Sequence, residues 1–438
     1  MDNRYERRVT SSSSRRPSNG QQRPQSTGFL YGGDARGIYG AQDYGKRSTM
    51  IYGKPPRRRW PFILALIVVA IIVILLVMFA CKPQSEEPEE QTEEQTSTEQ
   101  TEEVVQQDVT NTITITAVGD CTLGTDESFS VDTNFNTVFA NNGSDPSYNF
   151  KRVTPYTATD DLTIANFEGT LTESTDRQDK QFAFKGPASY ADILVQGSVE
   201  AVNLANNHSY DYGNSSYEDT KQALSDYGIT SFGYDRTNTF TVKDTKIGLY
   251  GVNCVGSYET ATEQMYADIA ALQQEGCSII IGCMHAGTEG NGVPDDAQVT
   301  LAHSAIDAGT NLVIGTHPHV LQGIERYNNA YILYSLGNFV FGGNSSPSEF
   351  ATAIWQQTFT VTNGQLVVDE NTLNSVCLIP CRLSSSSSTL NDYQPLPLTG
   401  DEATEVLNTI NNRSAQLSGD GIVLTTTVDE NDRAYLNQ

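Results

Sequence analysis

The longest uninterrupted apolar run is Trp60 to Ala80, WPFILALIVVAIIVILLVMFA, and it carries no charge. Its length suits a helix crossing the roughly 30 Å hydrocarbon core of a bilayer. A buried soluble helix would keep a polar stripe, and a cleavable signal peptide would not follow so long a leading segment. Lys54, Arg57, Arg58 and Arg59 precede the run and Lys82 stands almost alone after it. The positive-inside rule therefore predicts one transmembrane helix over 60–80, with the N-terminus cytoplasmic and everything after Cys81 outside. From Thr112 the pattern changes to short β-branched runs alternating with helical stretches, which predicts an α/β fold with mixed sheets. TITITAV at 112–118 alternates with period two, and LTIAN, VEAVNLA, IGLYGVN, SIIIGCM, NLVIG and AYILYSL follow as strands. Residues 216–227, 260–275 and 295–308 read as helices, each stopped by a glycine. After Trp355, WQQTFTV and GQLVVDENTLNSVCLIP form an expected antiparallel pair joined by an Asn363-Gly364 turn, and 401–417 is the expected last helix.

Composition divides the remainder. Residues 1–59 are rich in Ser, Gly, Gln, Pro, Tyr and Arg, lack apolar periodicity, and read as a disordered cytoplasmic tail. They hold 13 of the 27 Lys plus Arg and 4 of the 53 Asp plus Glu, a balance of +9, which leaves 14 minus 49, or −35, for the rest. Such an acidic remainder argues against nucleic-acid binding, which needs clustered cations. Residues 81–111 include SEEPEEQTEEQTSTEQTEEVVQQD, whose acids repel one another and predict an extended stalk. A folded domain over 112–420 and a short tail over 421–438 complete the expected organisation. Cys277 and Cys283 flank one strand-like run, too far apart along it for a disulfide, and read as core residues.

Five short polar clusters stand at the carboxyl ends of strand-like runs, where α/β sheets place ligands and catalytic groups. They are GDCTLG at Gly119, NFEGTL at Asn166, ANNHSYDYG at Ala205, MHAGTE at Met284 and GTHPHVLQ at Gly315. Singly, each is most often a turn or a cap. Jointly they hold four of the chain's five histidines: His208, His285, His317 and His319. His317 and His319, two apart on a segment stiffened by Pro318, are expected to extend and point the same way. With Asp120, Glu168 and Asn207 they make a mixed nitrogen and oxygen set suited to Mn, Fe or Zn. An acid able to bridge would let two such ions sit about 3.5 to 4 Å apart and activate water for attack on phosphorus. Asp211 is placed to orient the ring of His208, and Glu289, four residues after His285, to hydrogen-bond around the ligands. His303, inside a helix with no neighbouring acid, reads as structural.

The blocks ANNHSYDYG, GTHPHVLQ and LYSLGNFVF, in that order, resemble the signature blocks of the CapA family of poly-gamma-glutamate capsule proteins, over about 113–383. That family is related to calcineurin-like metallophosphoesterases, so the resemblance implies a four-layer αββα sandwich with a dimetal site between loop ends. It implies Asp120, His319 and a bridging Glu168 around one ion, and Glu168, Asn207, His285 and His317 around the other. His208 would then be the general acid, with Asn166 and Asn338 close by. Thr122 stands where the wider phosphoesterases carry a metal-binding histidine. A single span, a long stalk and an outward domain suggest a surface-exposed protein in the cell membrane of a Gram-positive bacterium, and the resemblance implies work on an anionic polymer or phosphate ester, with poly-gamma-glutamate synthase membrane subunits as partners. Two alternatives stand beside it: a non-catalytic, metal-dependent polymer-binding or scaffold subunit, and a phosphoesterase acting on cell-wall or nucleotide phosphates.

Overall fold

The computed structural model of the chain describes residues 108–234 and 236–437. The expected cytoplasmic tail, the apolar span at 60–80 and most of the stalk lie outside them. Among the described residues, no helix is long and apolar enough to cross a membrane.

Two mixed sheets form. In the nine-stranded sheet Thr110–Thr122 is central, pairing parallel with Leu162–Phe167 and antiparallel with Ala351–Thr362. Ala201–Asn203 and Thr230–Phe232 continue the parallel side, and Val376–Arg382 continues the antiparallel side. In the six-stranded sheet, Thr245–Asn253, Ile279–His285, Leu312–Thr316 and Ala330–Leu333 run parallel, and an antiparallel strand closes each edge.

Period-two patterning decides how these sheets stack. Ile113, Ile115, Ala117, Leu162 and Ile164 of one sheet share a buried cluster with Ile247, Leu249, Ile279, Ile281, Leu312 and Ile314 of the other. The opposite face of the larger sheet, through Val118, Ala165 and Val202, packs on Ile193, Leu194, Tyr217 and Leu224 of helices. The opposite face of the smaller sheet, through Tyr250, Ile280 and Val313, packs on Met265, Ile269, Leu272 and Leu301. Helix, sheet, sheet and helix are thus stacked, with the inter-sheet core apolar on both sides.

Local chemistry explains the boundaries. Helix Asp296–Ala308 begins with a capping box between Asp295 and Gln298 and ends at Gly309, whose φ of 115° is left-handed. Helix Tyr258–Gln274 is capped by the Ser257 side chain, and Gly213–Asp226 and Gly400–Ser414 complete the long helices. Asn363 and Gly364, with φ of 53° and 78°, make the expected two-residue hairpin turn. The run after that turn is not one strand. Asp369 caps a helical turn at Glu370–Leu373, which separates the short Gln365–Val367 from Val376–Arg382. VEAVNLA likewise yields only Ala201–Asn203, because Asn203 turns its side chain back onto Ala205. Residues 421–437, set apart above as a tail, fold back on the domain: Leu378 bridges Ala434, and Ile422, Leu424 and Ala434 join the inter-sheet core. The six described cysteines are free, with Cys283 buried and Cys277 partly so.

His303 does have an acid beside it, supplied by a strand that sequence distance hid. Its Nε2 lies 3.0 Å from both oxygens of the buried Glu325, which also accepts a hydrogen bond from Tyr334. Its role remains structural, as partner to a buried carboxylate.

At the amino ends of Leu162–Phe167 and Ala201–Asn203, Asp160 accepts from the Thr163 hydroxyl and Glu200 from the Thr163 amide, each at 2.8 Å. Burial pushes Asp160 up to about 6 and Glu200 up to about 7. A carboxyl with a raised folded-state pKa favours folding while protonated, so stability from this pair is lost as pH rises toward 7. Glu200→Gln should therefore raise the Tm at pH 8 and shrink the fall in Tm between pH 5 and pH 8. Thermal unfolding with a chelator present tests this; an unchanged fall would clear the pair of responsibility.

Candidate metal centre

The polar clusters converge where the parallel strands of both sheets end. Asp120 lies near the end of Thr110–Thr122, Glu168 one residue after Leu162–Phe167, His285 at the end of Ile279–His285, and His317 one residue after Leu312–Thr316. One backbone contact lets the LYSLGNFVF block reach them. The Asp120 amide donates to the Gly337 carbonyl at 2.9 Å, and a Cβ on Gly119 would sit 2.0 Å from that carbonyl oxygen. Gly337 itself has a φ of 71°.

The path of His317-Pro318-His319 departs from the expected extended segment. His317 has a φ of 98° and His319 a φ of 58°, both in the left-handed region that costs a residue with a side chain. Both rings still reach the cluster, turned there by strained backbone and not by strand alternation. The ring centroids are 5.9 Å apart.

Glu168 sits at the centre. It is fully buried, and neither carboxylate oxygen has a hydrogen-bond partner. Its Oε1 lies 3.7 Å from His319 Nε2, 3.8 Å from His285 Nε2 and 3.9 Å from His208 Nε2. These gaps are too long for hydrogen bonds. Two atoms each about 2.0–2.2 Å from one ion lie at most about 4.4 Å apart, so the gaps fit an intervening cation. Asp120, Glu168 and His319 form one set of potential ligand atoms within 4.8 Å of one another, and Glu168, His285 and His317 form another. The Nδ1 of buried His317 is also without a partner. A buried carboxylate without a partner, beside a buried imidazole with an unpartnered nitrogen, is what a metal centre requires and what a metal-free core would avoid.

Hydrogen bonds fix the surrounding atoms. Asn166 Nδ2 donates to Asp120 Oδ1 at 2.8 Å and lies 3.3 Å from His285 Nδ1. Asn207 Oδ1 is 2.7 Å from His285 Nε2, and Thr316 Oγ1 is 3.0 Å from His285 Nδ1. His319 Nδ1 lies 3.0 Å from Asn338 Oδ1 and 3.4 Å from Asp120 Oδ2. The hydroxyl of Thr122 donates to the Glu168 carbonyl at 2.6 Å, so this residue holds the loop of the central acid.

His208 stands at one side with Nδ1 2.7 Å from Asp211 Oδ2, its ring against Phe184 at 4.4 Å. Asp211 also accepts from the Phe184 amide at 2.6 Å and from Lys180 Nζ at 2.7 Å. His208, His319, Glu289 and Asn338 line a cleft of about 200 Å³ walled by Phe182, Phe184 and Phe341.

Electrostatics follow burial. Burial raises the Glu168 carboxyl well above the usual carboxylate range, and it lowers His285 strongly, His208 less so, and His317 to about 4. His319 is the exception. Burial works to lower it, but the charges of Glu168 and Asp120 carry it up to about 10.

All eleven residues singled out in the sequence lie in this region or at its rim. Sequence reasoning missed Asn203 and Asn206, whose Nδ2 groups donate to Asn166 Oδ1 at 2.9 and 3.3 Å, and Lys180. Asn206 lay inside ANNHSYDYG and was there to be found. Lys180 belongs to a polar loop with no motif, and only the fold brings it to Asp211.

Residues 114–343, more than half of the 438, match the family model described as bacterial capsule synthesis protein PGA_cap. The PGA biosynthesis protein CapA of Bacillus subtilis is 29% identical over 215 residues, which cover 44% of this chain and 56% of that protein. The capsule biosynthesis protein CapA of Bacillus anthracis is 25% identical over 288 residues, 60% of this chain and 67% of the relative. A probable polyglutamine synthesis accessory protein of Mycobacterium tuberculosis is 27% identical over 266 residues, 52% of this chain and 67% of the relative. Among solved structures, the NAD nucleotidase of Haemophilus influenzae aligns at 14% identity and a TM-score of 0.36, covering 69% of this chain and 63% of its own. That score is too low for the likeness to bear on function. The family match spans the strand ends that carry Asp120, Glu168, His208, His285, His317 and His319, and the chain belongs to the bacterial capsule synthesis protein PGA_cap family.

Proposed function

We propose that the chain is a membrane-tethered, outward-facing phosphoesterase of metallophosphoesterase type that serves the synthesis or export of an anionic capsule polymer such as poly-gamma-glutamate. The observation that carries this reading is Glu168, fully buried, unpartnered at both oxygens and surrounded by imidazole nitrogens at 3.7 to 3.9 Å. The uncharged run at 60–80 behind a basic segment supports the tether and its orientation. The names of the Bacillus and mycobacterial relatives support the polymer and a synthase as partner.

Two divalent ions, Mn, Fe or Zn by the nitrogen and oxygen character of the donors, would be held by Asp120, Glu168 and His319 and by Glu168, Asn207, His285 and His317. When bound, they supply Lewis-acid stabilisation of a phosphoryl group and a nucleophile at neutral pH. The chain's own residues do the rest. Asp211 holds Nδ1 of His208, which leaves Nε2 facing the cleft, where it delivers its proton to the leaving oxygen as the P–O bond breaks. Asn166 fixes Asp120 against His285, Asn338 fixes His319, and the Phe184 and Phe341 rings pack against His208 and His319 and exclude water from that side.

The test is hydrolysis of phosphate mono- and diester model substrates by the purified protein with Mn, Zn or Mg added. Metal-dependent turnover is expected. Bound metal with no turnover on any ester would sink the enzymatic reading and favour the non-catalytic scaffold or polymer-binding subunit. In that case bound ions would supply the positive charge that a domain this acidic needs to meet a polyanion.

A further inference from the structure

We propose that Glu289 is a metal ligand, closing the centre on its solvent-facing side together with His317 and His319. The inference rests on the metal-centre reading above and adds to it a third carboxylate, one that the sequence suggested only as an outer hydrogen-bonding partner.

The placement is the first ground. A carboxylate oxygen of Glu289 and ring nitrogens of His317 and His319 lie within 4.8 Å of one another, and these two histidines belong to the two different ligand sets around Glu168. Glu289 therefore faces the gap between the two positions from the cleft, with Glu168 buried behind it. The loop that carries it is tied to the histidine turn, since the Gly290 amide donates to the Pro318 carbonyl at 2.8 Å. Side chains on both ends of that tether are thereby kept in register.

The second ground is what the neighbours lack. His317 is 6% exposed and its Nδ1 has no hydrogen-bond partner, while one of its ring nitrogens lies within 4.8 Å of the Glu289 carboxylate. Glu289 makes no hydrogen bond or ion pair among the described residues, so its side chain is free to swing the short distance to an ion. Exposed glutamates at a cleft rim are ordinarily just solvated. Here the carboxylate lies within 4.8 Å of ring nitrogens of both His317 and His319. Left unliganded, it would repel an anionic ester arriving at the same cleft; bound to metal, it would not.

The third ground is a deficit it repairs. Thr122 spends its hydroxyl on the Glu168 carbonyl, so no side chain at that position reaches the ions. Asp120, Glu168 and His319 alone give three donors, fewer than the four to six that first-row divalent ions take. Glu289 is the described residue placed to add one.

The experiment is metal binding to the full chain in detergent, by equilibrium dialysis with Mn²⁺ and Zn²⁺, for the wild type and for Glu289→Ala, Glu289→Gln and Glu289→His. Glu289 is exposed, so these substitutions leave folding intact. The inference expects Ala and Gln to weaken at least one ion by about tenfold to a hundredfold, the range that even outer partners of a metal reach. His, a ligand without the charge, should keep most of the affinity, and with Co²⁺ bound it should shift the visible absorption band as nitrogen replaces oxygen. Wild-type affinity in the Ala variant would overturn the role of Glu289 while leaving the metal centre in place. A wild type that binds no ion at all would overturn both.

Discussion

Glu168→Gln removes most of the rise in Tm that divalent metal confers on the wild type, while the stability of the metal-free protein changes little. Each ion held at a thousandfold excess over its Kd adds about 4 kcal/mol to folding, or about 6 °C of Tm for a domain of this size. Glu168 belongs to both ligand sets, so its loss should remove the larger part of that gain. The metal-free comparison works the other way. The Glu168 oxygens make no hydrogen bonds, so the substitution sacrifices none, and the attraction it gives up to His319 is offset by removing a carboxyl whose charged form burial disfavours. Turnover should fall by about a hundredfold or more, since several kcal/mol of transition-state stabilisation depend on the ions. Differential scanning with and without Mn²⁺ separates the two effects. A variant whose Tm still climbs with metal like that of the wild type would show that Glu168 is not a ligand.

Retaining an unpartnered carboxylate in the core sets function against stability, and that tension made the site legible in the sequence. Acids, asparagines and histidines at the ends of β-branched runs are costly to bury, so their recurrence after five separate runs pointed to one shared purpose. Strand patterning was readable for a related reason: Ile113, Ile115 and Ala117 on one face require a buried partner, and the opposing sheet supplies it. What stayed hidden was set by tertiary contacts. The left-handed backbone of His317 and His319 has no signature in a His-Pro-His triplet, since histidine, although it enters that region more often than most residues with a side chain, still does so rarely. The Glu325 partner of His303 lies on another strand, and Lys180 reaches Asp211 only once its loop has packed across the cleft. The short helix at Glu370–Leu373 was signalled by Asp369 and Thr372, yet the apolar residues around it resembled one long strand.

Asp211→Asn moves the alkaline limb of the pH–rate profile to lower pH, and His208→Ala removes the limb along with most of the activity. Burial lowers the pKa of His208, and the Asp211 carboxylate, 2.7 Å from Nδ1, opposes that by favouring the imidazolium. A general acid works while protonated, so its activity is lost as pH rises through its pKa. Removing the carboxylate leaves burial unopposed, the pKa falls, and the loss begins at a more acid pH. His208→Ala should cost about 10²- to 10⁴-fold in kcat, the range of one positioned acid, with little change in metal affinity because His208 is in neither ligand set. The penalty should also depend on the ester. An ester whose leaving group departs as a stable anion needs no proton, so His208→Ala should spare p-nitrophenyl phosphate relative to an alkyl ester. A loss equal on both substrates, with the alkaline limb unmoved in Asp211→Asn, would take the proton away from His208 and leave its ring a packing partner of Phe184.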